Sequence, residues 1–174
     1  MALAYLSIGA NLGDRRAALQ AAVDGLLEAG AQDVRASSVY ETDPVGLVLD
    51  QPAFLNACVR LETSLTPVEL LDQAKALEAA AGRDFDAPRH SPRELDVDVI
   101  LYGDAELSTE RLTVPHPEVL TRRFVLVPLL ELDFALRLPS GARLSDALAV
   151  LPLDDAVRRN GPPLKVPRAR RSAA

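Results

Sequence analysis

Apolar and polar residues follow two periods along this chain, one typical of strands and one typical of helices. Alternation or short apolar runs predict four strands, at residues 4–8, 34–40, 54–63 and 95–102. Between the first two strands, apolar residues recur at helical spacing after Asp14, a predicted N-cap, until Gly30 ends the helix. Strands and helices on short connections predict an α+β fold, a sandwich with a mostly antiparallel sheet.

Two further helices are predicted. The letters TPVE at 66–69 form a capping box with proline at the first helical position, so a helix begins there and should run to Ala81. A second helical pattern covers 121–132 and is expected to break at Pro128, which lacks a backbone N–H. Residues 110–116, between these helices, are expected to be extended.

Length and composition predict one globular domain. The chain has 174 residues, of which 48% are hydrophobic, and we expect its domain to span residues 1–157. The formal net charge is −6, yet residues 158–174 carry six basic residues and no acidic one. This basic segment contains prolines and lacks periodicity, so it is predicted to be a disordered C-terminal tail. The acidic remainder argues against a nucleic-acid-binding protein.

The chain lacks the sequence pattern of a secretion signal or a membrane span. Its N-terminus has no basic region before the apolar run, and no apolar run approaches the ~20 residues that cross a bilayer. The single cysteine, Cys58, lies in an alternating apolar segment and is expected to be a core thiol in a reducing compartment. We therefore expect a cytoplasmic monomer that acts on small molecules and has no membrane partner.

The strongest candidate chemistry lies where residues 83–94 lead into the fourth strand. The letters RDFDAPRHSPRE contain three arginines and a histidine, and the strand that follows carries Asp96 and Asp98. Side chains two apart share a strand face, so these carboxylates project together while their neighbours face a core. A Mg²⁺ ion would turn their repulsion into attraction, and the arginines offer forked donors to phosphates. The alternative interpretation is an exposed strand edge whose acids are solvated.

Five segments of the chain together resemble a known family. They read SIGANLGD, YETDPVG, DQPAFLNACVRLET, RHSPRELDVDVILYG and ERLTVPHPEVLTRRFVLVPL. This combination resembles 6-hydroxymethyl-7,8-dihydropterin pyrophosphokinase of the folate pathway, which transfers diphosphate from ATP to a pterin alcohol and leaves AMP. The resemblance implies a ferredoxin-like α+β fold, ATP as co-substrate, and two Mg²⁺ ions bound by Asp96 and Asp98. Neither the P-loop motif nor the Rossmann glycine motif occurs in the chain.

Positions that match the family's motifs imply roles for further residues. Those implied to be catalytic are Arg83, Arg93, Asp96, Asp98 and His116. Those implied to bind ATP are Lys75, Glu78, Arg83, Arg89, Arg93, Val99, Arg111, Thr113, His116 and Arg122. Those implied to bind the pterin are Thr42, Asp43, Val45, Phe54, Asn56 and Phe124. The residues that depart from the commoner family pattern on the ATP side are Lys75, Phe85, His90 and Pro117.

The residues themselves also favour a heterocycle site. A flat, hydrogen-bonding ring needs apolar faces and a polar partner for its edge, and Phe54 and Asn56 share one strand face. The alternative is that Phe54 and Phe124 both belong to the core. Two rival functions stay open. A metal-dependent phosphohydrolase would need a base that activates water, and a non-catalytic ferredoxin-like module would only bind a small ligand.

Overall fold

The fold is given by a computed structural model that describes residues 1–44, 50–87, 91–153 and 156–167. In chain order its elements are β1 (Ala2–Ala10), α1 (Arg15–Glu28), β2 (Gln32–Ala36), β3 (Val39–Thr42), β4 (Phe54–Thr63), α2 (Pro67–Ala80), β5 (Asp96–Tyr102), β6 (Leu107–Ser108), β7 (Thr113–Val114), α3 (Arg123–Leu132), α4 (Leu144–Val150) and β8 (Val157–Gly161).

Within these described ranges the strands form a six-stranded sheet and a small hairpin. The sheet order is β5-β1-β4-β3-β8, with β2 also paired to β4, and its pairings are antiparallel. Strands β6 and β7 form the hairpin. Helices α1 and α2 pack on one face of the sheet, and α3 and α4 pack on the other. The predicted α+β sandwich with a ferredoxin-like, mostly antiparallel sheet is confirmed.

Alternation along the strands divides the core into two clusters. On β1, Leu6 and Ile8 pack toward α1 and α2, whereas Tyr5 belongs to the cluster under α3 and α4. On β5, Val97 lies in the first cluster and Ile100 in the second. Successive side chains of a strand point to opposite faces, so a single strand contributes to both clusters. Full burial of each such aliphatic side chain contributes about 1.5–3 kcal/mol.

Helices α1 and α2 begin as predicted. Asp14 caps α1, because its Oδ1 accepts a hydrogen bond from Ala17 N at 3.0 Å. At the start of α2, Thr66 Oγ1 accepts from Glu69 N at 3.3 Å, and the Glu69 carboxylate accepts from Thr66 N at 2.8 Å. These bonds form the predicted capping box and satisfy N–H groups that the start of a helix leaves without partners.

The strand predicted at 34–40 is in fact two strands, β2 and β3, separated by Ser37 and Ser38. Ser37 Oγ accepts a hydrogen bond from Cys58 N at 2.9 Å and donates to Ser38 O at 2.8 Å. Ser37 N still donates to Cys58 O at 2.9 Å, but the Ser37 hydroxyl takes the place of the reciprocal backbone acceptor, and the period of the apolar residues alone does not reveal this change.

Helix α3 continues through Pro128, so the predicted break there is wrong. Proline removes one backbone donor, but Val125, Leu126 and Leu129 are buried against the sheet and hold the helix in place. The sequence pattern does not predict α4 or the β6–β7 hairpin, whose elements are only two to seven residues long. Of the segment expected to be extended at 110–116, residues 113–114 form β7.

The C-terminal segment is ordered further than predicted. Strand β8 pairs with β3, and Leu164 is 4% exposed within the core under α1 and α2. The prediction of a disordered tail from residue 158 is therefore wrong for residues 158–167. The edge of β3 offers backbone donors and acceptors, and this segment pairs with them despite its basic composition. Residues 168–174 lie outside the described ranges.

Cys58 is a core thiol, as predicted. Its side chain is fully buried, and burial raises the pKa of the thiol. Its Sγ lies 3.7 Å from Val125 O, so the thiol contacts the backbone of α3. Among the described residues, no helix has the length and apolar character needed to cross a membrane.

Replacing Thr66 by alanine should lower the free energy of unfolding by about 1 kcal/mol, because the capping box loses its hydroxyl. Chemical denaturation measures this change. The control is Ser64→Ala, an exposed change two residues earlier, which should alter stability by less than about 0.5 kcal/mol. Equal losses in the two variants would show that the cap contributes nothing specific.

Candidate active site

A pocket of about 290 Å³ opens at one end of the sheet, beside the start of α3. Its lining consists of Ser7, Gly9, Thr42, Asp43, Gln51, Phe54, Asn56, Arg93, Asp96, Asp98, Glu118, Thr121, Arg122 and Phe124. Five of the six residues predicted to bind the pterin are in this lining: Thr42, Asp43, Phe54, Asn56 and Phe124. Both predicted metal ligands, Asp96 and Asp98, line the same pocket. A lining that mixes aromatic and polar side chains is typical of a small-molecule site.

Strand alternation explains why these side chains meet. On the face toward α3, β1 presents Tyr5 to the core and then, two and four residues later, Ser7 and Gly9 to the pocket. The register pairs Gly9 with Asn56 of β4 on one side and with Asp96 of β5 on the other. The pocket is therefore the polar continuation of the core under α3 and α4.

Asn56 forms a polar floor in the pocket. It is 4% exposed, and its Nδ2 donates a hydrogen bond to Thr42 Oγ1 at 2.7 Å. A Cβ atom on Gly9, directly opposite, would lie 2.8 Å from Asn56 Oδ1, which is too close for an undisturbed contact. The absence of a side chain at Gly9 thus makes room for the carboxamide, and Thr42 orients it.

Phe54 and Phe124 give the pocket its aromatic surface, one from β4 and one from α3. Both rings are only partly buried, so they are not simple core residues. Arg93 lies 5.6 Å from the centre of the Phe54 ring, and Arg122 lies 5.6 Å from the centre of the Phe124 ring. Each ring therefore contacts a cation that also lines the pocket.

Asp96 and Asp98 both face the pocket, as their spacing predicts. Arg83 Nη1 lies 2.7 Å from Asp96 Oδ1, and Arg93 Nη2 lies 3.2 Å from Asp96 Oδ2. Burial raises the pKa of the Asp98 carboxyl, and the negative charge of Asp96 raises it further, while His116 opposes the rise. Both arginines pair with Asp96, so the charge of Asp98 is compensated less directly. The two carboxylates repel each other.

A fully buried carboxylate, Glu78 of α2, lies behind the aspartates. Glu78 Oε1 accepts a hydrogen bond from Val97 N at 2.8 Å, and Oε2 accepts one from Lys75 Nζ at 3.0 Å. Arg83 Nη1 lies 2.6 Å from Glu78 Oε1. Burial raises the pKa of Glu78, and these three donors oppose that rise. Glu78 therefore bonds the backbone between the two aspartates and orients the arginine that reaches Asp96.

The aspartate pair fits a hard divalent cation. Mg²⁺ typically takes one or two protein carboxylates and completes its shell with water and phosphate oxygens. In the described part of the chain, no group of three or more His, Cys, Asp or Glu residues is placed to hold a metal by itself. Two repelling carboxylates are a donor set that such a cation stabilises. Arg93 Nε is buried without an acceptor among the described residues, so it suits a phosphate oxygen.

Most of the other residues predicted to bind ATP lie outside the pocket lining. Lys75 and Glu78 belong to α2, Val99 to β5 and Thr113 to β7, while Arg83, Arg111 and His116 lie in loops. Val99 is 2% exposed and belongs to the core under α1 and α2, so very little of this residue is accessible to a ligand. Val45 and Arg89 lie outside the described residues.

Two of these loop residues have partners of their own. Arg111 forms an ion pair with Asp72, and both side chains are more than half exposed. His116 Nδ1 accepts a hydrogen bond from Glu118 N at 3.2 Å. A neutral His116 ring consequently carries its proton on Nε2, where it can donate to another group.

Asn11 is a site residue that the sequence analysis does not identify. It is 2% exposed, and its Nδ2 donates to Gln51 Oε1 at 2.8 Å and to Pro52 O at 3.1 Å. Its Oδ1 accepts from Arg93 N at 2.8 Å. Asn11 thus joins the loops before β4 and β5 at the pocket. The available signal is a polar residue directly after the buried run of β1. Asn11 itself is not in the pocket lining; the lining residues without a predicted role are Ser7, Gly9, Gln51, Glu118 and Thr121.

Some known proteins are similar to this chain in sequence, and others are similar to it in fold. The model of the 7,8-dihydro-6-hydroxymethylpterin-pyrophosphokinase (HPPK) family matches residues 5–134. The 2-amino-4-hydroxy-6-hydroxymethyldihydropteridine pyrophosphokinase of Pseudomonas aeruginosa is 40% identical over 158 residues, which cover 90% of this chain and 96% of that protein. The protein of the same name from Methylorubrum extorquens is 44% identical over 152 residues, covering 87% and 94%.

A crystal structure of HPPK-DHPS in complex with substrates has a similar fold. The TM-score is 0.67 at 12% identity, and the match covers 85% of this chain and 43% of the solved one. This chain therefore spans less than half the length of that protein, and the likeness concerns the fold alone. The family match and the sequence identities together show that the chain belongs to the 7,8-dihydro-6-hydroxymethylpterin-pyrophosphokinase family.

Proposed function

We propose that the pocket between β1, β4, β5 and α3 is the active site in which this pyrophosphokinase transfers diphosphate from ATP to 6-hydroxymethyl-7,8-dihydropterin. One observation carries this assignment: the aromatic and amide surface of Phe54, Asn56 and Phe124 adjoins two carboxylates flanked by arginines in a single pocket. A heterocyclic alcohol and a polyphosphate would lie side by side there. The products are AMP and the pterin diphosphate used in tetrahydrofolate synthesis.

The pterin would lie against the aromatic surface with its polar edge toward Asn56. Phe54 and Phe124 supply flat apolar contacts for a ring system. Asn56 supplies hydrogen-bonding groups that are already oriented by Thr42, so little reorganisation is needed on binding. Asp43 lines the same side of the pocket.

The phosphates of ATP would lie over the β5 end of the pocket. Arg93 offers its buried Nε and Arg83 its guanidinium beside Asp96, and forked guanidinium donors suit phosphate oxygens. Two Mg²⁺ ions held by Asp96 and Asp98 would supply positive charge to those oxygens and lower the pKa of the attacking hydroxyl. His116 can donate from Nε2, and Arg122 extends the cationic side toward Phe124.

The chemistry is an in-line displacement at phosphorus. The pterin hydroxyl oxygen forms a bond to the β-phosphorus as the bond from that phosphorus to the α,β-bridging oxygen breaks, AMP leaves, and the hydroxyl proton passes to solvent water. The arginines spread the charge that develops on the phosphate oxygens, which is where fixed cations accelerate the step most. We assign no dedicated general base. We also propose a cytoplasmic location, which the free, buried thiol of Cys58 supports, and a monomeric state.

Incubation with ATP, Mg²⁺ and the hydroxymethyl dihydropterin should yield AMP and the pterin diphosphate, and Asp98→Asn should slow turnover at least about a hundredfold. This near-isosteric change is preferable to Asp96→Ala, which would leave Arg93 without its carboxylate and Arg83 with Glu78 alone. The control, Asp104→Asn, changes an exposed turn residue after β5 and should retain activity.

Chromatographic measurement of AMP separates the rival functions. AMP formation without any pterin would indicate a phosphohydrolase, and binding without turnover would indicate a non-catalytic module. Unchanged turnover in Asp98→Asn at ordinary Mg²⁺ concentrations would show that the assignment of the metal site to β5 is wrong.

Gly9→Ala should weaken pterin binding by about five- to a hundredfold, because the new methyl group displaces the Asn56 carboxamide and costs about 1–3 kcal/mol of hydrogen bonding. Binding of a non-hydrolysable ATP analogue should change little. Calorimetric titration measures both affinities. In an Asn56→Ala background the same change should add almost nothing. A full additional loss there would mean that Gly9 acts on the pocket by another route.

Glu78→Gln should lower turnover by about tenfold or more with pterin affinity unchanged, because glutamine keeps an acceptor for Val97 N but loses the charge that orients Arg83. Steady-state kinetics and thermal unfolding should be measured together. The decisive control is Arg83→Met. If Glu78 acts through Arg83, adding Glu78→Gln to Arg83→Met should cause little further loss. An equal further loss of ATP affinity would instead make Glu78 a direct ligand contact.

A further inference from the structure

The C-terminal segment 157–167 lies beyond the residues that match the family model, yet its strand β8 pairs with β3, which contributes Thr42 to the pocket. Strand β8 is the outer neighbour of β3, and the register pairs Val157 with Thr42 and Arg158 with Glu41. Thr42 is the residue that accepts the hydrogen bond from Asn56. Backbone pairing with β8 therefore supports the end of β3, where Thr42 orients the Asn56 carboxamide.

Arg158 extends this support to the pocket lining itself. Its Nη2 lies 3.0 Å from Asp43 Oδ1, and its Nη1 lies 3.4 Å from Asp43 Oδ2, a two-point contact between a planar guanidinium and a carboxylate. The hydrogen bonds from Arg158 lower the pKa of Asp43. The Asp43 carboxylate, which lines the pocket, is therefore bonded by an arginine of the C-terminal strand β8.

The ion pairs continue to the start of β4, the strand that pairs with β3. Arg158 Nη2 also lies 4.0 Å from Glu41 Oε1, and Arg15 Nη1 lies 3.1 Å from Glu41 Oε2. Arg15 Nη1 in turn donates to Ala53 O at 2.7 Å, directly before the aromatic residue at the start of β4. A chain of charged contacts thus connects Asp43 to the beginning of β4.

The segment is anchored independently of these ion pairs. Arg16 Nη2 donates to Pro162 O at 2.9 Å. Gln20 exchanges two hydrogen bonds with the backbone of Lys165, at 2.8 and 2.9 Å, and Leu164 is buried in the core. These contacts hold the C-terminal segment against α1 and the core, so the strand that carries Arg158 is fixed without the ion pair to Asp43.

Exposed ion pairs contribute little to stability, and Arg158 and Asp43 are both largely exposed. The main consequence of a two-point contact is geometric, because it restricts the carboxylate and the backbone that carries it. We propose that Arg158 is a positioning residue of the heterocycle pocket, which holds Thr42 and Asp43 where they line it. The identity of the ligand as a pterin rests on the proposed function, whereas the contact itself does not.

Arg158→Met should raise the KM and the calorimetric Kd for the pterin by about threefold to tenfold, with kcat and the affinity for a non-hydrolysable ATP analogue unchanged. Arg158→Lys should recover only part of this loss, because an ammonium group has no fork. In an Asp43→Asn background, Arg158→Met should add almost nothing. Each variant's thermal unfolding midpoint should stay close to that of the parent chain.

Two matched controls define the result. Arg159→Met removes the same charge from the same strand, but the charge of Arg159 influences Tyr40 and Glu131, where it favours the ionised form of both groups. This variant should bind pterin with an affinity within about twofold of that of the parent chain. A chain that ends at Pro167 lacks Arg168, Arg170 and Arg171 and should also behave as the parent.

Unchanged pterin binding in Arg158→Met, or equal losses in Arg158→Met and Arg159→Met, would overturn the positioning role. A parallel loss of ATP-analogue affinity and thermal stability would do the same, because it would indicate a general structural effect. Failure of the parent chain to bind pterin or release AMP would count against the proposed function instead.

Discussion

The alternation of side chains across the antiparallel sheet is the constraint on which the rest of the structure depends. Each strand must bury one set of residues under α1 and α2, and this requirement fixes which residues face α3. On β1, β4 and β5, the α3 face changes from apolar to polar toward one end, where Gly9, Asn56 and Asp96 lie side by side. A shift of one residue in any strand would move its pocket residue into the core.

A second constraint is charge compensation behind the pocket. Asp96 is bonded by Arg83 and Arg93, and Arg83 is also bonded by the buried Glu78. A buried carboxylate is costly unless it is paired and hydrogen-bonded, and Glu78 satisfies that requirement with Val97 N among its donors. The same bonds fix the strand between the two pocket aspartates. Stabilisation of the fold and preparation of the site are therefore carried by one set of contacts.

Composition is a weaker guide than backbone pairing at the end of the chain. Residues 158–160 are two arginines and an asparagine, all exposed and without apolar periodicity, which is why the sequence predicts disorder for them. Their order comes from backbone hydrogen bonds to the edge of β3 and from the burial of Leu164, and neither depends on a recognisable side-chain pattern. Pro128 is the converse case, since a strong local signal for a helix break is overridden by burial of the surrounding leucines.

The sequence by itself determined the fold class, the caps of α1 and α2, and the shared face of Asp96 and Asp98. It determined these because local spacing and period decide which side chains can meet within one element. Only the tertiary structure decided that Asn11 joins two loops, that Glu78 orients Arg83, and that Arg158 holds Asp43. Each of these contacts joins residues from different helices, strands or loops, so it depends on how those elements pack. The period of the sequence describes single elements and carries no record of their packing.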